Sequence, residues 1–327
     1  MITIHTTYFS NSSFNLTTIL YYCIIYSMKS KDIIEKTLES YNDIFADIVN
    51  VLLFKGKRII TEDSLTDAQP FSYYKNWNRK VRTQERDVAK HWQNGQIRIA
   101  FLGIENQTEP EREMPLRIIG YDGAAYRSQL PPKRKRKKLD EREKTYYPII
   151  TLVLYFGTKQ KWNKNLSLKD IITIPSEIEH FVSDYKINVF NLAWLSDNDI
   201  NGFQSDFKEV ALYLKAKRLG TKYQGTQKDL DHAIEILDLF YAMSNDNSYK
   251  EIEDELRAQT IEPQRRIKMC EVTQRIRNEG RQEGEKTAIN KISTILTKLL
   301  AAGKTEEMNK AIQDREYLKK LMDEYQK

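Results

Sequence analysis

The sequence predicts an α/β sandwich followed by a helical tail, and three observations carry that expectation. Two runs rich in branched and aromatic residues, Ile97–Gln107 and Tyr146–Gly157, have the character of buried strands. Segments with apolar residues at helical spacing lie before, between and after them, the arrangement that layers helices on a sheet. Beyond residue 245 the composition turns to charged, helix-favouring residues, interrupted only by Pro263, Gly280, Gly284 and Gly303.

The elements follow in chain order. Residues 1–27 hold no Asp, Glu, Lys or Arg. Their apolar run Ile19–Tyr26 has no basic flank and no small-residue cleavage site, so a signal peptide is not expected. The expectation for 1–29 is a low-charge leader, either poorly ordered or the product of a start upstream of Met28. From Lys31 to Phe54 apolar residues recur at three-four spacing (Ile33, Ile34, Leu38, Tyr41, Ile44, Phe45, Ile48, Val49, Leu52), which predicts one amphipathic helix stopped by Gly56. Asp43, Asp47 and Asn50 line its polar edge. Residues 61–80 are polar and read as loop, with aromatics at Phe71, Tyr73, Tyr74 and Trp77, and a turn-rich stretch surrounds Asn94-Gly95. Pro115 suits the first turn of a helix running to about Leu130. Pro131–Lys138 is a loop with six consecutive cations, Lys133, Arg134, Lys135, Arg136, Lys137 and Lys138. A further strand is expected at Ile187–Leu195 and helices at Ser205–Lys217 and Asp229–Met243. The expected division is a domain over 30–245 and a helical tail over 246–327, whose amphipathic segment Ile289–Leu299 could support a homo-oligomer.

Composition narrows the chemistry. The chain carries 52 Lys and Arg against 46 Asp and Glu, a net +6, with 40 % hydrophobic and 11 % aromatic residues, enough for a substantial core. Two distant cysteines, Cys23 and Cys270, form no zinc or disulfide pattern and suit a reducing cytoplasm. Four scattered histidines lack any metal-binding spacing, so a catalytic metal would be held by carboxylates, which favours magnesium, with manganese or calcium as alternatives. No run reaches the roughly 18–20 apolar residues of a membrane helix.

The carboxylates singled out are Glu105 and Asp87. On a strand Glu105 shares a face with Ile99, Phe101 and Gly103 and emerges where the apolar run ends. With Asp87 brought from an adjacent segment, and the backbone carbonyl of Asn106 as a third ligand, it would form a site for a hard divalent cation. Gln107 would orient the attacking water or touch the scissile phosphate. Taken singly, a strand-end glutamate is most often a solvated cap, and Asp87 could pair with Arg86 or Lys90.

The wider pattern comprises Phe45-Ala-Asp-Ile-Val-Asn50, Asp87, Gly103-Ile-Glu-Asn-Gln107, Met114-Pro-Leu-Arg-Ile-Ile-Gly-Tyr-Asp122 with Tyr126, Tyr147-Pro-Ile-Ile-Thr-Leu-Val-Leu-Tyr-Phe-Gly157 and Lys161-Trp162. It resembles the Rpn-type, YhgA-like transposase-associated nucleases of the PD-(D/E)XK superfamily, over most of residues 30–245. The resemblance implies a core with a mixed central sheet flanked by helices, metal binding by Asp87 and Glu105, and metal-dependent DNA cleavage that promotes recombination or transposition. Gln107 stands where the superfamily name places a lysine, which leaves the source of positive charge open. Arg117 is the first candidate and Lys90 the second, and Asp47 is expected to approach the site from the first helix. The run Lys133–Lys138 would contact DNA phosphates. A catalytically decayed DNA-binding or assembly protein is the alternative, and an RNA-directed nuclease a third reading.

Overall fold

The computed structural model describes residues 33–68, 71–75, 81–94, 97–130, 146–258 and 267–324. The low-charge leader and the basic run Lys133–Lys138 lie outside these residues. The chain divides into two units, Met1–Lys268 and Met269–Lys327.

The first unit is built on a five-stranded mixed sheet. Its strands are β1 (Leu65–Asp67), β4 (Val88–Asn94), β5 (Ile97–Gln107), β6 (Ile149–Tyr155) and β7 (Asn188–Asn191), in that spatial order. β1, β4 and β5 pair antiparallel, whereas β6 and β7 run parallel to β5, with Glu105 in register with Val153 and Asn106 with Leu154. A separate hairpin joins β2 (Phe71–Lys75) to β3 (Val81–Glu85).

One face is covered by α3 (Met114–Ser128), whose Met114, Ile118 and Tyr121 pack with Val153, Tyr155, Trp162 and Ile187. Pro115 sits in the first turn, where its missing N–H breaks no intrahelical bond. Helix α2 (Asn42–Leu52) buries its apolar stripe of Ile44, Phe45, Ile48 and Val49 and packs against α4 (Asp197–Gly202) and α5 (Phe207–Leu219).

The single helix expected over 31–54 is two. Residues 33–40 form α1, and Tyr41 then turns to an extended backbone (φ −66°, ψ 133°) before α2 begins. The Tyr41 ring lies 4.0 Å from that of His232, and its hydroxyl donates to Glu235 at 2.7 Å. These tertiary contacts outweigh a local sequence that would continue the helix. The expected stop at Gly56 is present as a left-handed turn, Lys55 and Gly56 both having positive φ.

Two further differences concern strands. Residues 71–75, inside the stretch 61–80 read as loop, pair with 81–85, for which no element was expected, to form the hairpin, and the stretch after Asp87 read as turn-rich around Asn94-Gly95 is β4. β4 holds Lys90 at 1 % exposure, its ammonium 2.7 Å from Asp67 Oδ1 and 5.7 Å from the centre of the Phe45 ring. A buried lysine breaks the apolar signature by which a strand is recognised.

The first unit also reaches beyond residue 245. α7 (Asn247–Ala258) packs on α6 (Ala233–Ser244), Tyr249 meeting Phe240 edge-on at 5.6 Å, and the Leu230 N–H donates to Ile267 O at 2.9 Å. The second unit consists of α8 (Met269–Ala301), α9 (Thr305–Gln313) and α10 (Arg315–Glu324) around Ile295, Leu299, Ala311 and Leu321. Gly303, at φ 73°, makes the turn out of α8. Among the described residues no helix is long and apolar enough to cross a membrane.

Gly103 on β5 marks a close approach. A Cβ there would lie 2.5 Å from Arg86 Cδ and 2.9 Å from Nε. Arg86 cannot move aside, because its Nε donates to Thr151 Oγ1 at 3.1 Å and its Nη2 pairs with Asp122. Gly103→Ala is therefore expected to destabilise the first unit by about 1–3 kcal/mol through overpacking, read as a lowered midpoint in urea.

Candidate active site

The site stands at the C-terminal end of β5. Asp87 immediately precedes β4, and its N–H donates to Ile104 O at 3.1 Å, so it lies across from the Ile104–Glu105 peptide. Its Oδ2 accepts the Asn106 N–H at 2.6 Å. Glu105, 2 % exposed, turns toward α3 and pairs through Oε1 with Arg117, whose other nitrogen meets Glu111 at 2.5 Å and whose Nη2 reaches the Tyr121 hydroxyl at 3.1 Å. The structure thus brings Asp87, Glu105, Asn106 and Arg117 together. Gln107 is half-buried beside them. Its backbone carbonyl accepts the Phe156 N–H at 2.8 Å, and its side chain makes no hydrogen bond among the described residues.

Helix α1 supplies what the sequence reading missed. Lys36 Nζ stands 2.9 Å from Asp87 Oδ1, and Glu39, 1 % exposed, accepts the Asn106 Nδ2 hydrogen bond at 2.8 Å. Glu35, one turn before Glu39, is also buried. Two glutamates four apart, flanking Leu38 on the apolar side of a predicted helix, were the available signal.

Asp47, expected at this site, belongs elsewhere. Its Oδ2 accepts the N–H groups of Gln204 (2.9 Å) and Ser205 (2.7 Å) and the Ser205 hydroxyl (2.6 Å), and its Oδ1 pairs with Arg58. These four partners make it a staple between α2 and the segment leading into α5. Lys90, paired with Asp67 as described above, is likewise no part of the site.

Charge at the site is unbalanced. Burial, then the neighbouring Asp87 charge, push the Glu105 carboxyl up to about 8, although Arg117, Lys36 and Arg86 all oppose the shift. Burial also raises Glu39 well above the ordinary range, with Glu35 and Asp87 adding to it. Glu39 Oε1, Glu105 Oε2 and Asn106 Oδ1 are buried and find no hydrogen-bond partner among the described residues. Orphaned oxygens beside mutually repelling carboxylates are the environment a hard cation relieves. Among the described residues no group of three or more Asp, Glu, His or Cys side chains is placed to hold a metal ion. Magnesium does not require one, since it keeps several waters and binds through one or two carboxylates.

These shifts set a pH dependence. With Glu105 at about 8 against an ordinary 4.5, the folded chain keeps a proton that the unfolded chain releases between those values. The metal-free protein should therefore lose stability as pH rises from about 4.5 toward 8 and level off above it, by on the order of a few kcal/mol from this group, Glu39 acting in the same direction. Urea midpoints at pH 5 and pH 8 check this, and Glu105→Gln should flatten the difference.

No curated protein and no solved structure matches the chain. A family model described as "Putative transposase, YhgA-like" matches residues 88–248, taking in Glu105, Asn106, Gln107 and Arg117 and beginning one residue after Asp87. The α/β mixed sheet that carries Glu105, Asn106 and Gln107 at the end of its central strand, with Arg117 on α3, thus lies in a region, residues 88–248, that is similar to the YhgA-like transposase family.

Proposed function

We propose that this protein is a divalent-metal-dependent DNA endonuclease that hydrolyses phosphodiester bonds and so promotes recombination or transposition. The observation that supports it most is the buried Glu105 beside Asp87, both tied to Asn106 or its neighbours at the end of one strand. Asp87, Glu105 and the Asn106 carbonyl would hold magnesium, or manganese or calcium in its place. A cation bound there supplies an acidified water and offsets phosphate charge.

The chain's own residues do the rest. Arg117, fixed by Glu111 and Tyr121, favours the ionised form of Glu105 and fixes its direction. Gln107 accepts a hydrogen bond from the attacking water and aligns it. The water gives up a proton to solvent as its oxygen bonds to phosphorus and one P–O ester bond breaks, and the leaving oxygen takes up a proton from solvent. The run Lys133–Lys138 would add salt-dependent, sequence-independent affinity through contacts with DNA phosphates.

The full-length protein with supercoiled plasmid tests this. Nicking is expected with Mg²⁺ or Mn²⁺, not with chelator, and not with Asp87→Ala. Absence of nicking with every metal, or equal nicking by the variant, overturns it. The neutral Gln107 and the ion pairs of Lys36 and Arg117 to the carboxylates favour a second reading, a DNA-binding or assembly protein without cleavage. Salt-sensitive DNA binding retained by Glu105→Ala, with no cleavage in wild type, would select it.

A further inference from the structure

Hydrolysis of a phosphodiester adds negative charge to the oxygens on phosphorus, and that charge is best met by a cation already in place. Gln107 is neutral. Arg117 has its fork committed to Glu105, Glu111 and the Tyr121 hydroxyl. Arg86 is buried against Asp122 and Thr151 beneath the strand, and Lys90 is buried against Asp67.

Lys36 is placed differently. Its ammonium is 2.9 Å from Asp87 Oδ1, and its side chain is 39 % exposed where that of Asp87 is 16 %. It is therefore the more solvent-accessible member of that ion pair. One turn along α1, Glu39 ties the helix to Asn106, which holds the backbone at Lys36 close to the end of the strand.

We propose that Lys36 is a catalytic cation of this site: its ammonium contacts the scissile phosphate of DNA and, before DNA arrives, occupies the Asp87 oxygen that a divalent ion would share. The proposal rests on the nuclease reading. Lys36 makes and breaks no covalent bond and contributes a charge-assisted hydrogen bond to the phosphate. Two effects of opposite sign follow, because removing Lys36 frees Asp87 for the ion but takes a cation from the reacting group.

The test compares full-length wild type, Lys36→Met and Lys36→Arg. Mn²⁺ is titrated without DNA by calorimetry, and plasmid cleavage is followed at saturating Mn²⁺. Lys36→Met is expected to bind Mn²⁺ about three- to fivefold more tightly, the loss of one partly exposed competing ion pair. Its cleavage rate is expected to fall about 10²-fold, with Lys36→Arg recovering part of it. Unchanged Mn²⁺ affinity and unchanged cleavage, in a wild type that does both, overturn the proposal and leave the nuclease reading standing. Loss of binding and cleavage together with a lowered melting temperature in Lys36→Met also overturns it, as the mark of a structural role. A wild type that neither binds Mn²⁺ nor cleaves defeats the nuclease reading itself, and the proposal with it.

Discussion

Glu105→Gln is expected to reduce metal-dependent plasmid cleavage by at least about 10²–10³-fold while leaving the fold intact. The substitution keeps the shape of a side chain that is 2 % exposed and removes only its charge. That charge is unwelcome in the metal-free protein, where burial and Asp87 raise the carboxyl to about 8. Arg117 loses one partner but keeps Glu111 and is 35 % exposed, so its charge is not stranded. Melting temperature at pH 8 should hold or rise while cleavage disappears, the sign of a residue kept for chemistry at a cost in stability. A variant that cleaves like wild type, or one that merely unfolds, would remove the basis for assigning Glu105 to the reaction.

The largest effect on stability is expected at Arg86. Its guanidinium and the Asp122 carboxylate are 4 % and 5 % exposed, and the same carboxylate accepts hydroxyl hydrogen bonds from Thr151 (2.6 Å) and Tyr185. Arg86 also lies over the rings of Phe101 and Tyr121, at 5.0 and 5.2 Å from their centres. Arg86→Met keeps most of the stem but leaves a buried carboxylate without its cation. A loss on the order of 3–5 kcal/mol is expected, measured as the shift in urea unfolding free energy. The double variant Arg86→Met/Asp122→Leu should recover much of it, because removing both charges also removes the uncompensated one. A single-variant loss below about 1 kcal/mol would mean that solvent or a neighbouring group already shares the charge.

What the sequence determined by itself was whatever local periodicity records. β5 is bounded as expected at Ile97 and Gln107, β6 lies inside the expected run, α3 begins beside Pro115, and Glu105 comes at the end of an apolar strand. Each rests on side-chain alternation, helical spacing or a proline within a few residues.

Tertiary structure decided the rest, because polar side chains along a helix edge look alike until their neighbours are known. Asp47 and Glu39 are both acids on the first helical stretch, yet one secures the backbone at Ser205 while the other holds Asn106 at the strand end. The break at Tyr41 separates them, and it is fixed by contacts with His232 and Glu235, some 190 residues away in sequence. β4 was hidden for the same reason: its lysine is buried by virtue of Asp67 and Phe45, partners that local sequence cannot supply. Positive charge at the site likewise comes from α1 and α3, on separate elements from the strand that bears Glu105. Electrostatic interaction acts through space at a few ångströms, so the set of charges that meets at Asp87 is a property of the fold.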